Sequence, residues 1–394
     1  MLDFDIILVG GGLANGLIAD RLASQRPDLR VLIIEARPTL GGDHTWSYHE
    51  TDVTAEQDHW LRSIGKSDWS SQEVRFPSYS RQISTGYRTI VSTDLHNRLV
   101  SNERLNLSLE TEVSHVSCNA VTLQGGQKLT SNCIIDGRGL TNANGVCIGY
   151  QKFFGLECEL SAPHGLAAPI LMDTTVDQID GYRFMYSLPY SPTTLLIEDT
   201  YYSDTPLLDT GAIEQRVRAY ASSKGWTIAS VIREERGVLP VVLDGRLEMV
   251  WPRDQTVPRS GMRAGLFHQT TGYSLPFAVR IANKLPAIQV LESKAVAEFL
   301  RTEAQAAWDK QSFFRLLNRF LFLAAQGSER RRIFERFYRL PRPLIERFYA
   351  ANLTAADKAR IVLGRPPVAL HKAVAAIPPR AAAARANGIA VPSS

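Results

Sequence analysis

Cysteine is scarce: Cys118, Cys133, Cys147 and Cys158 are the whole supply, and no two have the short spacing of a disulfide framework or zinc ribbon. The eight histidines are scattered without the helical pairing of a zinc site, so no metal is expected. No charge-free apolar run is long enough to cross a bilayer. A basic leader with a cleavage site is also missing, and no export signal is expected. The net charge is only +4, and the basic residues are interleaved with apolar groups instead of forming a recognition motif, which argues against nucleic-acid binding. What is present is a globular composition, 44% hydrophobic and 21% charged, on 394 residues, enough for two closely packed domains.

The first strong signal is at the start. Phe4 to Val9, interrupted only by Asp5, suits a buried parallel strand. Gly10, Gly11 and Gly12 follow, then Leu13 to Ala23 with helical spacing, then a second strand from Arg30 ending at the acid Glu35. Strand, glycine turn, helix, strand and terminal acid form a mononucleotide-binding unit of Rossmann type. Gly10 permits the tight turn, Gly12 lets the backbone approach a pyrophosphate, and the helix start at Leu13 and Ala14 offers N–H groups to that anion. Glu35 is placed to accept from ribose hydroxyls. Asn15 stands where the third fingerprint glycine would fall. It either holds helix and strand further apart or brings its amide near the phosphates. The run Ala36, Arg37 to Gly41-Gly42 resembles the ribose-side loop of two-dinucleotide-binding flavoproteins and favours FAD.

A second glycine turn ends the apolar run 132–136, at Asp136-Gly137, the strand edge where open parallel sheets bind ligands. Segments 112–116, 120–123 and 127–130 read as antiparallel strands. Residues 1–150 are therefore assigned to the first part of the nucleotide-binding domain. The range 151–245 reads as an inserted mixed or antiparallel sheet, with strands at 153–160, 182–189 and 194–200 and a helix from Ile213 to Lys224. Its aromatic residues are expected to share one face and wall an apolar substrate tunnel. Residues 246–285 return to the nucleotide domain, with Gly265, Thr271, Gly272 and Tyr273 beside a helix start. Met262 takes the place of an Asp that holds the ribityl chain in related flavoproteins. The range 286–370 is helical, and its Phe/Leu/Arg series at 313–349 fits two placements, resting on an anionic membrane or packed inward with arginines in water. The Pro/Ala-rich stretch 371–394 reads as a disordered tail. The fold class is α/β throughout the nucleotide domain.

Together the runs Gly10–Ala19, His44–Ser47, Leu196–Thr200, Glu235–Pro240 and Gly265–Pro276 resemble bacterial carotenoid cyclases of the lycopene beta-cyclase type, over the chain to about residue 370. Asn15 belongs to that family's version of the glycine turn. The resemblance implies FAD, active when reduced, with NAD(P)H as reductant, and cyclisation of both ends of lycopene through gamma-carotene to beta-carotene without net redox change. It implies Glu198 as the essential acid, with Asp199 as partner, and His44, Trp46, Tyr186, Glu235 and His268 as pocket residues. A peripheral position on the cytoplasmic side of the membrane, near other carotenoid-pathway enzymes, goes with it. An FAD-dependent lipid or carotenoid monooxygenase or desaturase would share the nucleotide signals. A non-catalytic carotenoid carrier would give no reason for a dinucleotide fold.

Overall fold

A computed structural model describes residues 2–65, 67–140, 146–363 and 368–378. The apolar strand Phe4–Val9 lies inside a six-stranded sheet ordered Leu105–Ser108, Val31–Ile34, Phe4–Val9, Lys128–Asp136, Ala120–Leu123, Val113–Val116. The first four strands are parallel and the last two add antiparallel. Alternation sends Ile7 and Val9 to one side and Ile6 and Leu8 to the other, and both sides are covered. The segments 127–130 and 132–136, expected as separate strands, are one. Lys128–Thr130 pair antiparallel with the hairpin, and Ser131–Asp136 pair parallel with Phe4–Val9. The helix Leu13–Gln25 begins directly after Gly12, as the spacing predicts.

A seven-stranded sheet runs in the order Ile228–Asp244, Cys147–Leu160, Thr194–Ser203, Tyr182–Pro189, Ile170–Asp173, Gln72–Phe76, Tyr79–Ile83. Only the contact of Ile170–Asp173 with Gln72–Phe76 is parallel, so the expected mixed sheet is present. Two of its strands come from residues 72–83, within the range assigned above to the nucleotide domain. The helix Thr210–Ser223 packs Ile213, Val217 and Tyr220 onto one face, against Phe154, Ile197 and Tyr201. The other face carries Phe153, Phe184, Tyr186 and Tyr202 and is left for a cavity.

Period-two alternation corrects one expectation. Glu198 and Asp199 are adjacent in Thr194–Ser203 and therefore point to opposite faces. Asp199 lies under the helix, wholly buried, bound by Arg183 Nε at 2.8 Å and by the Tyr201 hydroxyl at 2.7 Å. It cannot orient Glu198 directly.

The C-terminal stretch packs inward. Phe314, Leu321, Phe322, Tyr338, Leu344, Ile345, Phe348 and Tyr349 are buried, which decides against the membrane placement for 313–349. Arg319 and Arg330 do not face water either. Arg330 donates to the carbonyls of Leu321 and Tyr202 and pairs with Asp204 at 2.7 Å. Arg319 donates to Leu243, Ala376 and Ile377 carbonyls. The latter two belong to a helix, Leu370–Ala376, and its end, where a disordered tail was expected; residues 379–394 of that tail lie outside the described residues. Among the described residues no helix is long and apolar enough to cross a membrane.

Asp199→Ala strands the Arg183 guanidinium without its buried partner. Urea unfolding is expected to show a loss of about 3–5 kcal/mol; a loss under 1 kcal/mol would mean that the pair is dispensable.

Candidate active site

Between the open face of the seven-stranded sheet and the loops of the nucleotide half lies a cavity of about 190 Å³, open to the outside on one side. The sheet contributes Phe153, Phe184, Tyr186, Glu198, Tyr202 and Glu235; the loops contribute His44, Trp46, Met262, Thr271, Gly272 and Tyr273. The lining is mostly hydrocarbon and aromatic, and Glu198 is only 8% exposed. Burial pushes its carboxyl well above the ordinary carboxylate range, and the neighbouring Glu235 raises it further. The Thr200 hydroxyl donates to Glu198 Oε1 at 2.5 Å and opposes the shift only in part. Glu198 therefore holds its proton to a higher pH than an ordinary carboxyl does.

Glu235 has a different environment. Arg233 donates to its Oε2 at 2.9 Å, and the Thr45 hydroxyl donates to the same oxygen. Tyr186 belongs to a chain of hydroxyls, with Ser47 and Tyr87 each at 2.9 Å and Tyr273 beyond Tyr87 at 2.9 Å. His44, Trp46, Tyr186 and Glu235, expected in the substrate pocket, line the same cavity as Glu198, together with Thr271, Gly272 and Tyr273, expected at the cofactor.

The nucleotide half has the chemistry of an anion cradle. A Cβ placed on Gly12 would meet nothing within 4 Å, and the helix Leu13–Gln25 has no acid in its first turn. Its positive end thus opens onto free space sized by the absent side chain. Leu13 is buried and the Ala14 methyl lies about where a Cβ on Gly261 would reach, at 3.0 Å, so both offer backbone alone. Glu35 accepts from Gly11 N at 2.7 Å and from Arg37 N at 3.0 Å, shaping the turn and the Ala36-Arg37 loop together. Arg37 ties that loop to Asp43, across Gly42, at 2.9 Å. These residues fit a bound dinucleotide.

Five expected site residues are engaged in packing and scaffold contacts. Asn15 is buried and spends its amide on the Val9 and Gly10 carbonyls, at 3.0 and 2.9 Å, and accepts from Ser260 at 2.6 Å. Its side chain locks the return segment to the glycine turn and does not reach toward phosphates. A Cβ on Gly137 would sit 2.6 Å from that amide, so glycine is required there for packing. Asp136 is clamped by Arg138 at 2.9 Å and Arg263 at 3.1 Å. Burial alone would raise this carboxyl, but the two guanidiniums outweigh it and hold it below the usual range. Gly265, at φ +74°, faces Leu247 and the Trp308 ring, away from the cavity. His268 is fully buried: its Nε2 bonds the Phe348 carbonyl at 2.9 Å, and its Nδ1 accepts from Thr270 and Thr271 N–H, each at 3.2 Å. It shapes the 270–273 loop from behind.

Arg233, Thr45 and Gly155 escaped the sequence reading. Arg233 and Glu235 share a strand face at a spacing of two, which was a legible signal. Gly155 sits in mid-strand, and only the pairing of distant strands gives it meaning.

A parallel dinucleotide sheet with a large second sheet walling a cavity at its loops is the architecture of the flavoprotein class. The probable FAD-dependent monooxygenase pqsL of Pseudomonas aeruginosa shares it, with a TM-score of 0.53 at 15% identity, over 81% of this chain and 96% of that one. The sequence matches the family described as lycopene cyclase protein over residues 5–375. It is 46% identical to lycopene beta-cyclase of Pantoea ananas, over 95% of this chain and 98% of that one. It is 49% identical to lycopene beta-cyclase of Pseudescherichia vulneris, over 94% and 96%. The chain belongs to the lycopene cyclase family.

Burial pushes His268 down to about 4 from 6.5. The neutral ring is favoured only in the folded state, so its contribution is complete above pH 6.5 and is lost as pH falls toward 4. The loss is about 3 kcal/mol. Urea midpoints measured from pH 7 to 4 should fall less steeply in His268→Gln than in the wild type; parallel curves would refute the assignment.

Proposed function

We propose that the protein is a lycopene beta-cyclase that closes both ends of lycopene by acid–base chemistry, with Glu198 as the proton donor. The observation that carries this reading is a proton-holding carboxyl, almost removed from water, on an aromatic wall facing the nucleotide-side loops.

An alkene is a very weak base, so its protonation needs an acid that keeps its proton until the substrate has excluded water. Glu198 donates to C2 of the terminal double bond and leaves a tertiary cation at C1. The C5=C6 bond attacks C1, and loss of the C6 proton leaves the beta ring. The carboxylate of Glu198 retakes that proton, so the reaction is an isomerisation. Aromatic faces of Tyr186, Phe153 and Tyr202 line the path, each able to stabilise a desolvated cation by about 1–2 kcal/mol.

FAD is the cofactor in this reading. The backbone of Gly10–Asn15 would take its pyrophosphate, Glu35 with Ala36 and Arg37 its ribose side, and Gly42, His44 and Thr271–Tyr273 the remainder. In its reduced form, regenerated by NAD(P)H, it supplies an electron-rich ring that stabilises nearby positive charge.

Lycopene must come from a bilayer, and peripheral docking on the cytoplasmic side is part of the proposal. The face we assign is not 313–349 but the helix Leu370–Ala376 and its end, where Leu370, Val374 and Ile377 are 68%, 56% and 49% exposed at a spacing of one helical stripe. Leu207, 76% exposed, follows Asp204, which lines the same surface hollow as Lys372.

Purified protein given lycopene and chemically reduced FAD without oxygen should yield beta-carotene with no net flavin oxidation. Glu198→Gln should bind FAD and lose at least about 10²–10⁴-fold in rate; near-normal turnover would exclude Glu198. The double variant Leu370→Ser/Val374→Ser should sediment less with anionic liposomes, and undiminished binding would reject that face.

A further inference from the structure

Glu198 and Glu235 are far apart in sequence but occupy one row of the sheet. Gly155, on the strand between them, pairs with Glu198 on one side and Glu235 on the other. A Cβ at Gly155 would come 3.1 Å from the Glu198 Cβ and 3.3 Å from its Cγ. Over that bare position, Glu235 is the charged group that acts most strongly on the Glu198 carboxyl. Both line the cavity.

We propose that Glu235 is a second catalytic carboxylate, ion-paired with Arg233 and held by Thr45, which meets Glu198 across the side-chain-free Gly155 so that the two face the reacting end of the substrate as a pair. This rests on the cyclisation reading above. Arg233 also pairs with Glu157 at 3.0 Å. One guanidinium therefore serves Glu157 and Glu235, and Glu198 is left without a cation of its own. Among these groups Glu198 carries the mobile proton. Asp199, beneath the sheet, is paired with Arg183, and burial keeps Tyr186 and His44 neutral on the cavity side.

The cycle balances without a further reagent. Glu198 loses its proton to C2, the C1–C6 bond forms, the C6–H bond breaks, and that proton returns to Glu198. Glu235 does not change protonation. While the proton is on the substrate, two carboxylates oppose the carbocation, and once the ring has closed their mutual repulsion drives recapture of the C6 proton. The same anion that makes Glu198 reluctant to ionise before reaction thus serves as counter-charge during it.

Glu235→Gln removes that charge. The alkaline limb of kcat against pH should move down by about 1–3 units, as loss of an adjacent like charge requires, and the plateau should fall at least tenfold with FAD binding unchanged. Gly155→Ala, which wedges a methyl between the carboxyls, should move both in the same direction and guards against a misfolded Glu235 variant. A wild-type plateau and limb in both variants would overturn the proposal. Apoprotein stability gives a reading independent of turnover. Because the Glu198 proton is bound more tightly folded than unfolded, wild-type stability falls as pH rises, and Glu235→Gln should narrow the gap between urea midpoints at pH 6 and pH 9. An unchanged gap rejects the pair even if no substrate is turned over, whereas a narrowed gap in a wild type that leaves lycopene unchanged rejects only the cyclase reading.

Discussion

A carboxyl group kept from water is the constraint on which the rest of this molecule depends. Two like charges about 4 Å apart cost on the order of 4 kcal/mol at an effective dielectric of 20, and burial adds to that. Glu198 beside Glu235 avoids both costs by remaining protonated. Its neighbour in sequence, Asp199, is buried more deeply yet solves the problem the other way, by binding Arg183 and Tyr201. Burial raises that group too, and its partners oppose the rise. One peptide unit thus separates an ion-paired acid from the one we propose as proton donor, and the pleat of the strand puts them on opposite faces.

Much of the polar scaffold serves to keep that cavity shaped and dry. His268 holds two loop N–H groups on one nitrogen and a helix carbonyl on the other, so the loop carrying Thr271 to Tyr273 is fixed from the side away from the cavity. Arg330 binds the carbonyls of Leu321 and Tyr202, joining the C-terminal segment to the strand that bears Glu198. Asp136, Asn15 and Ser260 do the same where the return segment crosses the glycine turn. A buried polar group left unpaired costs about 1–3 kcal/mol, so these contacts fix backbone positions that apolar packing would leave free to slide.

The legible parts were those governed by local rules. Strand, glycine turn, helix and terminal acid at residues 4–35 follow from periodicity and backbone sterics, and Tyr182–Pro189 was readable to the residue. Asp199 was misplaced although alternation in Thr194–Ser203 contained the answer. Gly265, Asn15 and His268 had the right residue types for a cofactor loop, but their roles depend on Trp308, Ser260 and Phe348, which are 43, 245 and 80 residues away. The arginines at 319 and 330 were read as facing either a membrane or water, because helical spacing cannot distinguish a carbonyl partner from a lipid headgroup or solvent. Gly155 was invisible for the same reason: an empty position has meaning only beside the side chains it admits.

Fold alone does not select the reaction, since this architecture is shared with an FAD-dependent monooxygenase at low identity. A hydroxylating site needs a place for oxygen at the flavin, whereas protonating an alkene needs an acid aimed at the substrate carbon. A cyclising site therefore needs a proton source, a dry aromatic wall, and negative charge able to face a cation without capturing it covalently. The wall bearing Phe153, Tyr186 and Tyr202 around Glu198 fits those demands on the proposed mechanism, with Glu235 on Arg233 lining the same cavity. On the proposed mechanism, the chemistry within a common nucleotide scaffold is chosen by one row of a β-sheet, in which glutamate, glycine and glutamate stand side by side.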